Sequence, residues 1–177
     1  MPGLRLLMLG DFESLDPLPP DTRGLLNTEN HILCPGHVAD TAAYYQVMDV
    51  VCLPSHGEGF PPVVLEAQAA ARPVVATAVT GCKDAIEHGV TGLLVPLHDL
   101  DALTDALKLM LSDPARARRL GQAGRERVLR DFRPEAIWKA LADEYRRLLR
   151  KRGLALPVPQ KKEAAEVMTA DSRVAAS

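Results

Sequence analysis

Aromatic side chains are scarce in this chain: three Phe, three Tyr and one Trp, 4% of 177 residues. Such a supply argues against an aromatic-lined groove for an extended oligosaccharide. Cysteine is nearly missing as well. Cys34, Cys52 and Cys82 are too few and too scattered for a disulfide framework or a CxxC metal site. Reduced thiols in a cytosolic protein are the expectation. No apolar run reaches the roughly 20 residues that span a bilayer. Met1-Pro2-Gly3-Leu4-Arg5 has neither the long apolar core nor the cleavage pattern of a signal peptide. A large net charge is absent too. The 21 Lys+Arg and 23 Asp+Glu leave −2, which argues against a nucleic-acid binder. No internal repeat is visible.

What is present suits one globular domain. Apolar residues make up 47% and charged residues 25%, ordinary for a soluble fold with a real core. The small net charge hides a division. Residues 1–114 carry 5 basic and 15 acidic side chains, whereas residues 115–152 carry 13 basic and 5 acidic. An asymmetry of this size suggests two surfaces with different partners.

Short apolar runs alternate with helical patterns. The runs near 4–10, 31–34, 50–53, 73–77 and 92–95 read as strands. They are apolar on both faces, as strands covered by helices on both sides should be. Asp40 can cap a helix over 41–48, Pro62 can start one over 62–71, and another fits 80–88 before Gly89. Beyond the fifth strand the pattern is wholly helical. Asp99 or Asp101 can cap 102–111, Asp113-Pro114 opens a helix to about 130, and Arg133-Pro134 opens one to about 151. The alternation predicts an α/β, Rossmann-like, doubly wound parallel sheet with C-terminal helices. Residues 153–177 lack a lasting period and read as a flexible tail. On such sheets, ligands bind beyond the carboxyl ends of the strands.

The segment Pro54-Ser55-His56-Gly57-Glu58-Gly59-Phe60-Pro61-Pro62-Val63-Val64-Leu65-Glu66-Ala67 sits on that edge. Glycines flank Glu58, so backbone can come close to a ligand. The helix after the prolines offers first-turn N–H groups without intrahelical partners, and its dipole suits a phosphate. Glu66 lies about one turn into the helix. A carboxylate there can accept bonds from two vicinal hydroxyls, as ribose is commonly held. Solvated surface glutamates and a glycosidase-like acid and nucleophile pair are the competing readings.

Glu58 and Glu66 enclose seven residues, an E-x7-E spacing. With Asp49-Val50-Val51-Cys52-Leu53-Pro54-Ser55 before it, the segment resembles that of retaining GT-B glycosyltransferases of family 4, group 1. Glu66 to Ala76, Thr80-Gly81-Cys82-Lys83-Asp84 and Gly89 to Pro96 resemble the blocks that follow it. Gly10-Asp11-Phe12-Glu13 and Asp16-Pro17-Leu18-Pro19-Pro20 resemble bacterial members that build exopolysaccharide or O-antigen units on a lipid carrier. The likeness covers about 4–149.

The resemblance implies a nucleotide-sugar (donor) binding domain over 1–152, lacking its first strand and helix. It implies transfer from a nucleotide sugar, first a UDP-sugar, with retention and with no metal or other cofactor. Glu58 would act at the donor sugar as the catalytic residue. Glu66 would take the ribose hydroxyls. Gly59, Phe60, Pro61, Pro62, Val63 and Val64 would face sugar and diphosphate, and Gly36, His37 and Val38 the base. The acceptor would be a glycan or lipid-linked, and the acceptor domain would come from a partner chain. The alternative is a truncated, catalytically silent fragment that binds nucleotide or protein only.

Three departures stand out. Pro61 and Pro62 bring no N–H, so Val63 and Val64 are expected to supply the phosphate donors. Gly57 stands where close relatives often carry Arg. The resemblance leads to the expectation that the segment in which relatives place their diphosphate-neutralising basic residues is missing. The basic helices from Arg116 to Arg152 read as solvated faces, as a peripheral contact with anionic lipid at the inner membrane face, or as a docking face. Cys34 and Cys52 are expected in the core and Trp138 as the anchor of the last helix. His56 reads as a plain loop histidine or a proton shuttle.

Overall fold

The computed structural model describes residues 3–12 and 17–154. In chain order these form β1 (Leu6–Leu9), α1 (Pro20–Thr28), β2 (Ile32–Gly36), α2 (Ala42–Val47), β3 (Val51–Leu53) and α3 (Pro62–Ala69). There follow β4 (Val74–Thr77), α4 (Thr80–Ala85), β5 (Leu93–Val95), α5 (Leu100–Ser112), α6 (Pro114–Asp131) and α7 (Pro134–Lys151). They divide into two compact units, Met1–Leu129 and Arg130–Ser177. The tail expected over 153–177 lies, from residue 155 onward, outside the described residues.

The first unit is organised on β4. Its sequence Val74-Val75-Ala76-Thr77 is buried throughout, between parallel neighbours β3 and β5. Alternate side chains leave a strand on opposite faces. Val74 and Ala76 therefore join Val51, Val64 and Ala67 in one core cluster. Val75 joins Leu93, Val95, Met110 and Leu120 in the other. Helices α2, α3 and α4 supply the first cluster, and α5 and α6 the second, which is the doubly wound arrangement.

All strand pairing is parallel, but the hydrogen bonds divide the strands into β1-β2 and β3-β4-β5. Cover on both faces, expected for all five runs, holds at β4 and at Leu93 and Val95 of β5. It fails on the first pair, where Leu6 and Leu33 are each 46% exposed. Cys34 and Cys52 are exposed rather than in the core. Cys34 lies on β2, whose middle residues are open to solvent, and Cys52 on β3, which has one strand neighbour. Cys82 is buried.

Helix starts follow the sequence closely. Asp99 accepts from the Ala102 amide at 2.8 Å, Asp113 from the Arg116 amide at 3.0 Å and Asp40 from the Ala42 amide at 2.9 Å. Helix α1, which opens on Pro20 with Asp21 in its first turn, has no clear signal in the sequence. Gly24 interrupts it and only Leu25 and Leu26 are apolar, so it shows no stripe. Helix α4 stops at Ala85, before the expected end at 88. The Thr91 hydroxyl accepts from the Glu87 amide at 2.9 Å and turns the chain.

The end of α3 is unusual. The Arg72 amide bonds the Ala67 carbonyl and the Ala71 amide the Gln68 carbonyl, each at 2.8 Å, the paired closure that usually ends on glycine. Here Ala71 takes the left-handed position, at φ 57°. Gly121 of α6 packs directly on the Ala71 carbonyl, leaving no room for a Cβ. The basic run is partly taken up nearby. Arg125 donates to the Ala69 carbonyl, and Arg127 donates to Ala85 at 2.5 Å and Asp84 at 2.7 Å, each closing the negative end of a helix.

In the second unit, α7 carries Ile137, Trp138, Leu141, Tyr145 and Leu148, all exposed. The anchor expected at Trp138 is 68% exposed, on a helix with no buried residue. Its charges pair along the helix, Asp143 with Lys139 and Arg146, and Glu144 with Arg147. Those cations hold the Asp143 and Glu144 carboxyls below the usual range.

Ala71→Gly should stabilise the fold. It removes an αL penalty of about 1–2 kcal/mol and adds a chain-entropy cost of about 0.5–1 kcal/mol. The expected outcome is a rise of about 2 °C in thermal midpoint, checked by calorimetry. An unchanged or lowered midpoint refutes the strain at this position.

Candidate functional site

The motif loop runs from the carboxyl end of β3 to the start of α3. Three contacts fix it. The Thr77 hydroxyl donates to the Ser55 carbonyl. The Ser55 hydroxyl donates to the Gly57 carbonyl at 3.1 Å. The Gly81 amide, at the start of α4, donates to the Glu58 carbonyl at 3.1 Å. Gly81 approaches so closely that a Cβ there would lie 2.5 Å from the Gly59 carbonyl oxygen. The backbone at Glu58 and Gly59 is thus set by α4, a tie that sequence spacing does not reveal.

Glu58 is half-buried, and Gly57, Gly59 and Phe60 are exposed. Burial, together with the nearby Glu58 charge, raises the Cys82 thiol pKa. Pro61 and Val64 are buried, while Pro62 and Val63 face solvent. Of the two expected amide donors, Val64 already donates to the Pro61 carbonyl at 3.2 Å. The Val63 amide has no partner among the described residues. Only one of the two amides expected to be free at this helix start is therefore unpartnered among the described residues.

Glu66 is exposed on α3 and is met from α2. Its Oε2 accepts from the Tyr45 hydroxyl at 3.0 Å and from the Thr41 hydroxyl at 3.2 Å. Burial, and the hydrogen bond and charge of Glu66, push the Tyr45 phenol well above its ordinary pKa, so it remains a donor. Sequence reasoning missed both residues. The available signal was their spacing of four on one helix face, beside an Asp40 able to do the capping.

Gly36 ends β2, and His37 and Val38 follow it. Gly36 has φ 77°, and the His37 amide donates to the Asp11 carboxylate at 3.2 Å. The described hydrogen bonds of this loop lead to Asp11 and Gly10 and not to Glu58 or Glu66. His56 instead meets His98, from the loop after β5, with ring centroids 4.9 Å apart in an edge arrangement. Among the described residues no helix is long and apolar enough to cross a membrane.

With this geometry in hand, known proteins give a consistent comparison. Residues 2–113 match the family described as glycosyl transferases group 1. The chain belongs to that family. The capsular polysaccharide biosynthesis glycosyltransferase CapM of Staphylococcus aureus is 31% identical over 148 residues, covering 84% of this chain and 39% of CapM. The sucrose-phosphate synthase of Thermosynechococcus elongatus superposes with a TM-score of 0.74 at 36% identity, over 83% of this chain and 39% of that one. HepE of Anabaena, solved with UDP-glucose, superposes at 0.75 over 82% of this chain and 41% of its own. At 23% identity HepE shares the fold alone. This chain therefore spans about two fifths of the length of such relatives, as one Rossmann-like half of a GT-B glycosyltransferase.

Gly81→Ala should displace the motif loop, since the new methyl meets backbone that has nowhere to move. A loss of about 1–3 kcal/mol is expected, with faster amide exchange at Gly57, Gly59 and Phe60. Wild-type exchange in those three amides would show that α4 does not hold the loop.

Proposed function

We propose that the unit around Glu58 and Glu66 binds the nucleotide-sugar donor, a UDP-sugar, for retaining transfer to a glycan or lipid-linked acceptor. The observation that carries this reading is the exposed Glu66 carboxylate on α3, with Oε1 unpartnered among the described residues, one turn from a helix start on the ligand-binding edge. Glu66 takes the ribose hydroxyls. The Val63 amide and the α3 dipole face the diphosphate. Glu58 lies at the donor sugar, where positioning and preorganised charge, rather than a strong base, serve the departure of a diphosphate. The UDP-glucose bound by HepE makes UDP the first probe.

Turnover, on this reading, needs more than these 177 residues. The usual doubly wound strand order is 3-2-1-4-5-6. If β1 to β5 are its second to sixth strands, its first position falls between β1 and β3, where the hydrogen bonding is interrupted. A strand from outside the 177 residues fills that place, and an acceptor domain comes with it or from a partner chain. A second reading, a binding module without turnover, is favoured by the start of α3, where the Val64 amide is already engaged by the Pro61 carbonyl.

Titration calorimetry with UDP tests the donor site. The full chain should bind UDP saturably, and Glu66→Ala should weaken binding about 10-fold or more, the loss of hydrogen bonds to a charged group. Absence of saturable binding by the wild-type chain overturns the reading. Binding without transfer, even with a supplied acceptor half, favours the second one.

A further inference from the structure

The two hydroxyls on Glu66 are arranged in a way the fold itself does not require. Thr41 stands at the N-cap of α2, where a threonine hydroxyl normally accepts from its own helix. Here it makes no such bond. Asp40 takes that task by accepting from the Ala42 amide at 2.9 Å, and the Thr41 hydroxyl turns to Glu66. One turn on, Tyr45 is the buried residue of α2, with its ring in the core beside Val51 and Val64. Packing fixes that ring, so its hydroxyl can address only a narrow region, and Glu66 is there.

Both donors converge on Oε2. A carboxylate oxygen has about two lone-pair sites, so Oε2 is filled. Oε1 has no partner among the described residues. The side chain of an exposed glutamate would otherwise sample several rotamers, and holding it on a ligand would cost about 1–2 kcal/mol of rotamer entropy.

We propose that Thr41 and Tyr45 are positioning residues that hold Glu66 by Oε2 and present Oε1, already ordered, to the vicinal hydroxyls of a ribonucleoside diphosphate. This rests on the donor-site reading above and adds its selectivity: ribose is preferred to 2′-deoxyribose because of the clamp on the far oxygen. Neither residue touches the ligand.

The test compares UDP with 2′-deoxy-UDP by titration calorimetry on the full chain. Wild type should prefer UDP about 10-fold, as expected for one hydrogen bond to a charged group. Tyr45→Phe and Thr41→Val should each weaken UDP about 3- to 10-fold, leave 2′-deoxy-UDP nearly unchanged and so shrink the preference. Thr41→Ser should restore it. A purely structural role would lower both affinities together, and that outcome overturns the proposal. Thermal midpoints identify a misfolded Tyr45→Phe, in which case the Thr41 pair decides. If Glu66→Ala weakens UDP while the hydroxyl variants keep full preference, the clamp is refuted and the donor site stands. If wild type binds no UDP, or Glu66→Ala binds it normally, the donor-site reading itself fails and the clamp with it.

Discussion

Helix α3 is gripped at both ends by bare backbone. At its start, Gly81 presses on the Gly59 carbonyl, and at its finish Gly121 presses on the Ala71 carbonyl. A methyl at either place would collide with main chain, which cannot rotate away as a side chain can. These contacts seat α4 and α6 against α3. The first of them also holds the motif loop at Glu58 and Gly59. The left-handed Ala71 belongs to the same constraint. The chain must turn at once into Pro73 and β4, and the carbonyl it exposes is the surface on which Gly121 rests. Strain at one residue is balanced by burial of the strand that follows, which is complete.

The parts of this architecture readable from sequence are those where one local signal decides. Val74-Val75-Ala76-Thr77 is apolar at consecutive positions and is the central strand. Asp99 and Asp113 stand before helices and cap them. The paired glutamates stand out by spacing, and the family likeness they carried agrees with the match over residues 2–113. Where the outcome depends on a distant partner, the sequence is silent. Cys52 looks like a core residue because its strand is apolar, yet exposure depends on what lies along the open edge of β3. Trp138 looks like an anchor because it is large, yet it sits on a helix with no buried face. Thr41 looks like a cap and points instead to a carboxylate 25 residues away. Nothing in local propensity distinguishes these cases.

The charge division gains a structural meaning. Much of the basic run has internal duties: Arg125 and Arg127 close the ends of α3 and α4, and Arg146 and Arg147 pair along α7. Counting basic residues overstates the positive surface available to lipid or a partner. The same holds in the acidic region. Arg72, one of its 5 basic residues, donates to the Met48 carbonyl at 3.1 Å and to the Ala70 carbonyl at 3.2 Å.

The proposed donor site is therefore better prepared for a sugar than for a diphosphate. Two hydroxyls order Glu66 for neutral donors, while the anion meets a helix start with two prolines and the amide of Val64 already engaged. A helix terminus contributes about 0.3–1 kcal/mol at an exposed position. A fixed cation 4 Å away contributes about 4 kcal/mol near a protein surface. That difference is larger than the whole effect of the clamp, so binding of the nucleoside and charge stabilisation of its departure are separable demands. The first can be met by the α2–α3 pair alone. The second calls for a cation, and the segment from Pro54 to Ala67 carries no Lys or Arg.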